Sequence, residues 1–215
     1  MPATKFPLRS KRKAETRCKL IRAARELFLK KGYDETTLEE IADAAGLHVQ
    51  TLYRHFATKQ DLAVAGDIKW LDIFREDIKA ASGKQNTFEF WRDWMDAMTD
   101  HLTRDGGDRY RRHLRIRHAS PTLLGTSRQI QSEYEDLLAN SLAHDFQVEN
   151  KGVCLPRLVA GMLMAGNGYV LRQFDLGEAD LKAETLQVID QVYAQYADQI
   201  VTQVEAAPKI AVGAR

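Results

Sequence analysis

Gln50 carries a carboxamide that can pair in bidentate fashion with the N6 and N7 edge of adenine in a DNA major groove. Beside it, Val49 and the methyl of Thr51 match the C5-methyl of thymine, and His48 adds an imidazole. Thr37 can cap a helix and offer that helix's first N–H groups to a phosphate. His55 could donate to a phosphate or cap its own helix. These groups amount to a reading device only if rigid elements hold them together.

Such elements are written into the same stretch. Leu20, Ile21, Ala24, Leu27 and Phe28 follow helical spacing and predict a helix from about Ser10 to Lys31, stopped by Gly32. Thr37 and Glu40 form a capping-box pattern, and Leu38, Ile41, Ala42 and Ala45 give the helix that follows an inward face. Gly46 breaks it after two turns, and a third short helix runs from about His48 to His55. Helices this short are unstable alone and need the first helix to bury against. The spacing of Ala42, Gly46 and Leu52 is that of a helix-turn-helix over about residues 37–56. An ordinary αα-corner would use the same spacing.

Charge is divided along the chain. The net charge of +1 over 215 residues conceals +6 in residues 1–60 and −5 in the remainder. A basic end points to nucleic acid or a membrane surface, or to a solvated basic helix. Lys11, Arg12, Lys13 and Arg17 are the candidates there for phosphate or minor-groove contacts.

The rest of the chain keeps a helical period. A fourth helix is expected from Thr58 to about Ala81, then helices over about 87–104, 108–118, 122–145, 153–174 and 179–206. With no period-2 segment, the fold class is all-α, with about nine helices. The expected organisation is a flexible arm (1–9), a DNA-binding domain (10–60), a larger helical domain (61–206) and a loose tail (207–215).

The run Glu26-Leu27-Phe28, Gly32-Tyr33, Thr36-Thr37, Ile41-Ala42-Asp43-Ala44-Ala45-Gly46, Thr51-Leu52-Tyr53-Arg54-His55-Phe56, Lys59 and Leu62 resembles the N-terminal domain of the TetR/AcrR family of transcriptional regulators. The resemblance covers about residues 12–65; beyond it only length and helical pattern agree. It implies that Tyr53 and Lys59 bind DNA phosphates and that His48–Thr51 read bases. It also implies a homodimer, formed through the helices at about 153–174 and 179–206, on a palindromic operator. Gly161, Ala165, Gly166 and Gly168 are small residues suited to close helix approach there. The family's usual outcome is repression, and activation is the alternative. Two positions depart from its commonest pattern: His48 stands where Ser is usual and Gln50 where Gly is usual.

The family also implies a small-molecule effector held by the central helices. The candidate lining is Trp91, Trp94, Met95, Met98, Tyr134, Met162, Asn167 and Tyr169, an apolar set suited to an apolar or amphipathic molecule. Phe88 is a further candidate. Such a stripe also serves as plain core. Arg104, Arg109, Arg111, Arg112, Arg115 and Arg117 form either a wet basic helix or a site for an anion or the DNA-binding domain.

Other chemistry finds no support. His101, His113, His118 and His144 lack metal-ligand spacing, and Cys18 and Cys154 stand far apart, with Cys154 expected to be buried. No metal or cofactor is expected, and no nucleophile–base set or phosphate loop suggests an enzyme. No apolar run approaches the ~20 residues of a membrane span. No apolar segment follows the basic N-terminus, so a cytoplasmic protein without a secretory signal is expected.

Overall fold

A computed structural model describes residues 7–201, and the side chains of residues 11–201. Among the described residues there are ten α-helices and one 3₁₀ turn, with no strand. In chain order they are α1 (Pro7–Lys31), α2 (Leu38–Ala44), α3 (Val49–His55), α4 (Lys59–Ala63), α5 (Ala65–Ala81) and α6 (Thr87–Thr103). There follow α7 (Asp108–Ala119), α8 (Pro121–Asp145), α9 (Leu155–Leu176), α10 (Leu181–Tyr196) and the 3₁₀ turn (Ala197–Gln199).

The boundaries differ from the sequence reading at four places. The first helix begins at Pro7, inside the stretch expected to be an arm. Proline is tolerated in a first turn, where its missing N–H would have no intrahelical partner. The rest of that arm, residues 1–6, and the expected tail at 207–215 lie outside the described residues. The helix expected over 58–81 is two, because Val64 leaves helical geometry (φ −95°, ψ 2°) two residues before Gly66, a poor helix former. α9 starts at Leu155 behind Cys154, which is half-buried at the N-cap rather than buried. The last helix ends at Tyr196 and tightens into the 3₁₀ turn.

The chain divides into two compact units: Met1–Lys69 with Arg115–Ser127, and Trp70–Leu114 with Arg128–Arg215. In the first unit α1 packs on α2 and α4, and α2 on α3. Leu20, Ile41, Leu52 and Leu62 are completely or almost completely buried there, with Ala24, Phe28 and Phe56. Each such aliphatic side chain contributes about 1.5–3 kcal/mol on burial. That is what holds two seven-residue helices that could not persist alone. Arg117 also donates to Asp67 in this unit, at 3.0 Å.

The second unit is centred on aromatic rings. Phe74 lies 4.8–5.6 Å from the rings of Phe90, Trp91, Trp94 and Tyr134. Leu138, Leu142, Val159, Leu163 and Ile189 complete that core. A buried carboxylate, Asp145, accepts from both the backbone N–H and the hydroxyl of Thr87 at 2.6 Å, which anchors the start of α6. Gly166 on α9 lets α10 approach closely: a Cβ there would lie 2.3 Å from Val188 Cγ1.

Candidate nucleic-acid interface

The turn between α1 and α2 leads into the capping box expected from Thr37 and Glu40. Thr37 Oγ1 accepts the Glu40 N–H at 3.2 Å, and Glu40 Oε2 accepts the Thr37 N–H at 2.9 Å. The ammonium of Lys31 donates to both oxygens of Glu40 at 2.5 and 2.6 Å. Those bonds, from Lys31 first and the Thr37 N–H second, hold the Glu40 carboxyl below the usual carboxylate range. α2 ends at Ala44 with Ala45 as its C-cap, and Gly46, whose φ of +67° costs glycine nothing, turns the chain toward α3.

α3 is seated by Leu52, which has no exposed surface, and closed by Phe56, which is 3% exposed. His48 is its N-cap, with extended backbone and no side-chain capping bond, so its exposed imidazole is left for other partners. Gln50 is exposed, and Val49 and Thr51 are half-buried. Tyr53 is 51% exposed, an unusual position for a large ring with no solvent role. Gln50, Tyr53 and Arg54 stand at i, i+3 and i+4 and so share the face opposite Leu52. Arg54 is exposed and donates to Thr51 Oγ1 at 3.1 Å. Arg54 joins this exposed face beside the expected residues, and its i+4 spacing from Gln50 is legible in the sequence.

His55 sits where that face ends. Its Nδ1 is buried and has no hydrogen-bond partner. Burial, followed by the charges of Lys13, Arg17 and Arg54, pulls the imidazole below its ordinary pKa. Arg17 differs from a free phosphate ligand: it donates to the His55 carbonyl at 3.2 Å, and its guanidinium stands over the Phe56 ring. Lys11, Arg12 and Lys13 are exposed along α1.

Lys59, expected on a DNA phosphate, is half-buried. Its ammonium donates to three backbone carbonyls of one turn, those of Tyr33 at 2.8 Å, Asp34 at 3.1 Å and Thr36 at 2.9 Å. An ammonium has three N–H donors, and all three are occupied.

The candidate effector lining divides in two. Trp91 and Trp94 are buried in the aromatic core of the second unit, and Met95, Met98 and Tyr134 pack against it. Phe88 joins the same core. Asn167 is buried, and neither its Oδ1 nor the Trp91 Nε1 has a hydrogen-bond partner. Met162 and Tyr169 are not brought to this core; they are exposed on another side of α9. Helical spacing alone did not reveal which side of α9 they occupied. The arginine cluster is partly absorbed by structure: Arg111 stacks on Phe174, and Arg117 pairs with Asp67. Among the described residues no group of His, Cys, Asp and Glu could hold a metal ion. None of their helices is long and apolar enough to cross a membrane.

Comparison with known proteins agrees with this geometry. The family profile described as bacterial regulatory proteins, tetR family, matches residues 20–65, from within α1 through α4. The HTH-type transcriptional regulator TcmR of Streptomyces glaucescens is 30% identical over 187 residues, covering 84% of this chain and 82% of TcmR. The chain belongs to the TetR family. The activator FasR of Mycolicibacterium smegmatis is 43% identical over 51 residues, 24% of this chain and 23% of FasR. Among solved structures, SmeT, the repressor of a Stenotrophomonas maltophilia multidrug efflux pump, aligns with a TM-score of 0.67 at 22% identity. That alignment covers 89% of this chain and 97% of SmeT. SmeT has also been seen in complex with triclosan. This TetR-family chain is therefore a DNA-binding transcriptional regulator and not an enzyme.

Proposed function

We propose that the chain acts as a homodimeric, ligand-responsive repressor. In this reading α3 enters the major groove of each half of a palindromic operator. The observation that carries it is the exposed face of Gln50, Tyr53 and Arg54 on a helix fixed by buried Leu52. Gln50 reads adenine, Val49 and Thr51 meet thymine methyls, and His48 meets the next base edge. Tyr53, Arg54, His55 and the Thr37 hydroxyl lie against phosphates, which fix register without reading sequence.

A seven-residue helix spans only a few base pairs, so two copies related by a two-fold axis are the natural solution. α9 supports this. Leu158, Met162, Tyr169 and Leu176 are all exposed on it, at spacings of four, seven and seven residues. That apolar stripe suits burial against its symmetry mate, and Tyr193 of α10 is exposed as well. The aromatic core around Trp91, Trp94, Met95 and Met98 is the effector region, where the unpaired Trp91 N–H and Asn167 carbonyl oxygen would meet the polar end of an amphipathic molecule. Effector binding would favour a dimer whose two reading helices no longer match half-sites about 34–36 Å apart. A coupling of about 1–3 kcal/mol would change operator affinity roughly 5–150-fold.

Selection of bound duplexes from a random pool tests this reading. The expected result is one palindrome, bound by a dimer and released by salt. Retention of no duplex at low ionic strength would overturn it. A reporter driven through the recovered sequence then gives the sign of regulation; lower expression in the presence of the protein is expected.

A further inference from the structure

α1 begins at Pro7, whereas the match to the family profile opens at residue 20. Residues 7–19, a length of about 20 Å at 1.5 Å per residue, thus precede the part that the family shares. Among the described side chains of α1 none before Leu20 is buried, and only Thr16 is half-buried. Residues 11–19 carry Lys11, Arg12, Lys13, Arg17 and Lys19 against the single acid Glu15. The two sides of this extension differ. Lys13 and Arg17 continue the line of Leu20 and Ala24, at spacings of four, three and four residues. Lys11, Glu15, Lys19 and Arg22, at spacings of four, four and three, line the opposite side. The first side meets the end of α3: Arg17 donates to the His55 carbonyl at 3.2 Å and lies over the Phe56 ring. Lys13 stands one turn farther out and is exposed, and after burial its charge is the largest influence lowering the His55 pKa. Its ammonium therefore lies within Coulombic reach of that ring.

We propose that the extension of α1 is a second DNA-binding element, in which Lys13 binds a backbone phosphate next to those held by Tyr53 and His55. The proposal rests on the DNA-binding reading above and carries its footprint beyond the helix-turn-helix. Arg17 fixes the extension against α3, so Lys13 keeps its place relative to the reading helix. Like charges at i and i+4, here Lys13 and Arg17, destabilise a helix, and a phosphate beside them offsets that repulsion. Such a contact adds affinity and fixes register but reads no base. Lys11, on the opposite side of the same turn of helix, is the internal control.

Two measurements on the full-length protein test this, both on a duplex recovered by selection. The first is the dependence of affinity on KCl concentration for the wild type, Lys13→Met and Lys11→Met. Both side chains are exposed, so neither substitution disturbs the core. A lysine that neutralises a phosphate contributes about 0.9 to the slope of log K against log salt. Lys13→Met should lower the slope by about 0.9 for each protomer bound, on the recovered duplex and on a scrambled one alike. Lys11→Met should leave both slopes as they are. An unchanged slope for Lys13→Met, or an equal loss for Lys11→Met, would overturn the proposal. The second measurement walks a single neutral methylphosphonate along the recovered duplex. At one position in each half-site it should weaken the wild type severalfold and leave Lys13→Met unaffected. If no position behaves in this way, Lys13 holds no phosphate and the proposal fails. A wild type that bound no duplex would defeat the DNA reading itself, whereas ordinary binding without coupling to Lys13 defeats this proposal alone.

Discussion

The guanidinium of Arg17 stands over the ring of Phe56, with its Cζ 4.2 Å from the ring centre. One of its nitrogens donates at the same time to the carbonyl of His55, at 3.2 Å. A single side chain of α1 thus closes the end of α3 in two ways. It satisfies a carbonyl at the helix C-terminus, where positive charge is favoured. It also lays a flat cation on the buried ring that terminates the helix.

Replacing Arg17 with alanine should therefore loosen the reading helix. Loss of the stack and the charged hydrogen bond should cost about 1–2 kcal/mol. For a chain of this size that lowers Tm by about 2–4 °C per kcal/mol. Arg17→Lys should recover little, since an ammonium cannot stack and donate as a planar fork does. Differential scanning calorimetry of the three proteins checks this, and equal melting temperatures would refute it.

Gln50→Ala should act on binding and leave folding alone, because the side chain is exposed on α3. Loss of a bidentate base contact costs about 1–3 kcal/mol and relaxes the preference at one operator position. Tyr53→Ala should weaken binding to selected and scrambled duplexes alike, as expected of a phosphate contact. Fluorescence anisotropy on both duplexes separates the two behaviours, with circular dichroism melts as the folding control.

His55 gives the fold a dependence on acid. Burial, then Lys13, Arg17 and Arg54, hold its imidazole below the ordinary value of 6.5. The unfolded chain therefore takes up the proton first as pH falls, and stability rises with pH across the window just below 6.5. The contribution is complete above that value and is lost as pH falls through the folded-state pKa. His55→Gln should flatten this part of the profile. Urea midpoints measured between about pH 5 and 7.5 decide it, and parallel profiles for wild type and variant would count against it.

Gly107 and Gly46 have left-handed backbones for different consequences. Gly107 has φ +80°, and a Cβ there would lie 2.5 Å from Phe174 Cζ, a clash with the tip of the ring. Gly46 has φ +67° with nothing within 4 Å. Gly46→Ala should cost only the conformational term, about 1–2 kcal/mol. Gly107→Ala adds overpacking of about 1–3 kcal/mol and should melt lower. Equal melting temperatures for the two variants would show that Phe174 yields without cost.

What the amino-acid sequence determined alone is what depends on neighbours a few residues apart. Helical spacing, the Thr37–Glu40 capping box, the stop at Gly46 and the candidate reading face around Gln50 all arise from groups within one or two turns of each other. The tertiary structure decided the matters that depend on distant segments. It gave the Lys59 ammonium to carbonyls 23–26 residues away and Arg17 to a carbonyl 38 residues away. It also gave Gly166 to Val188 and turned Met162 and Tyr169 out of the core they were expected to line. A helix's period says which residues share a face. Which face meets a neighbour, and which acceptor a long cation reaches, follows only from how the helices pack.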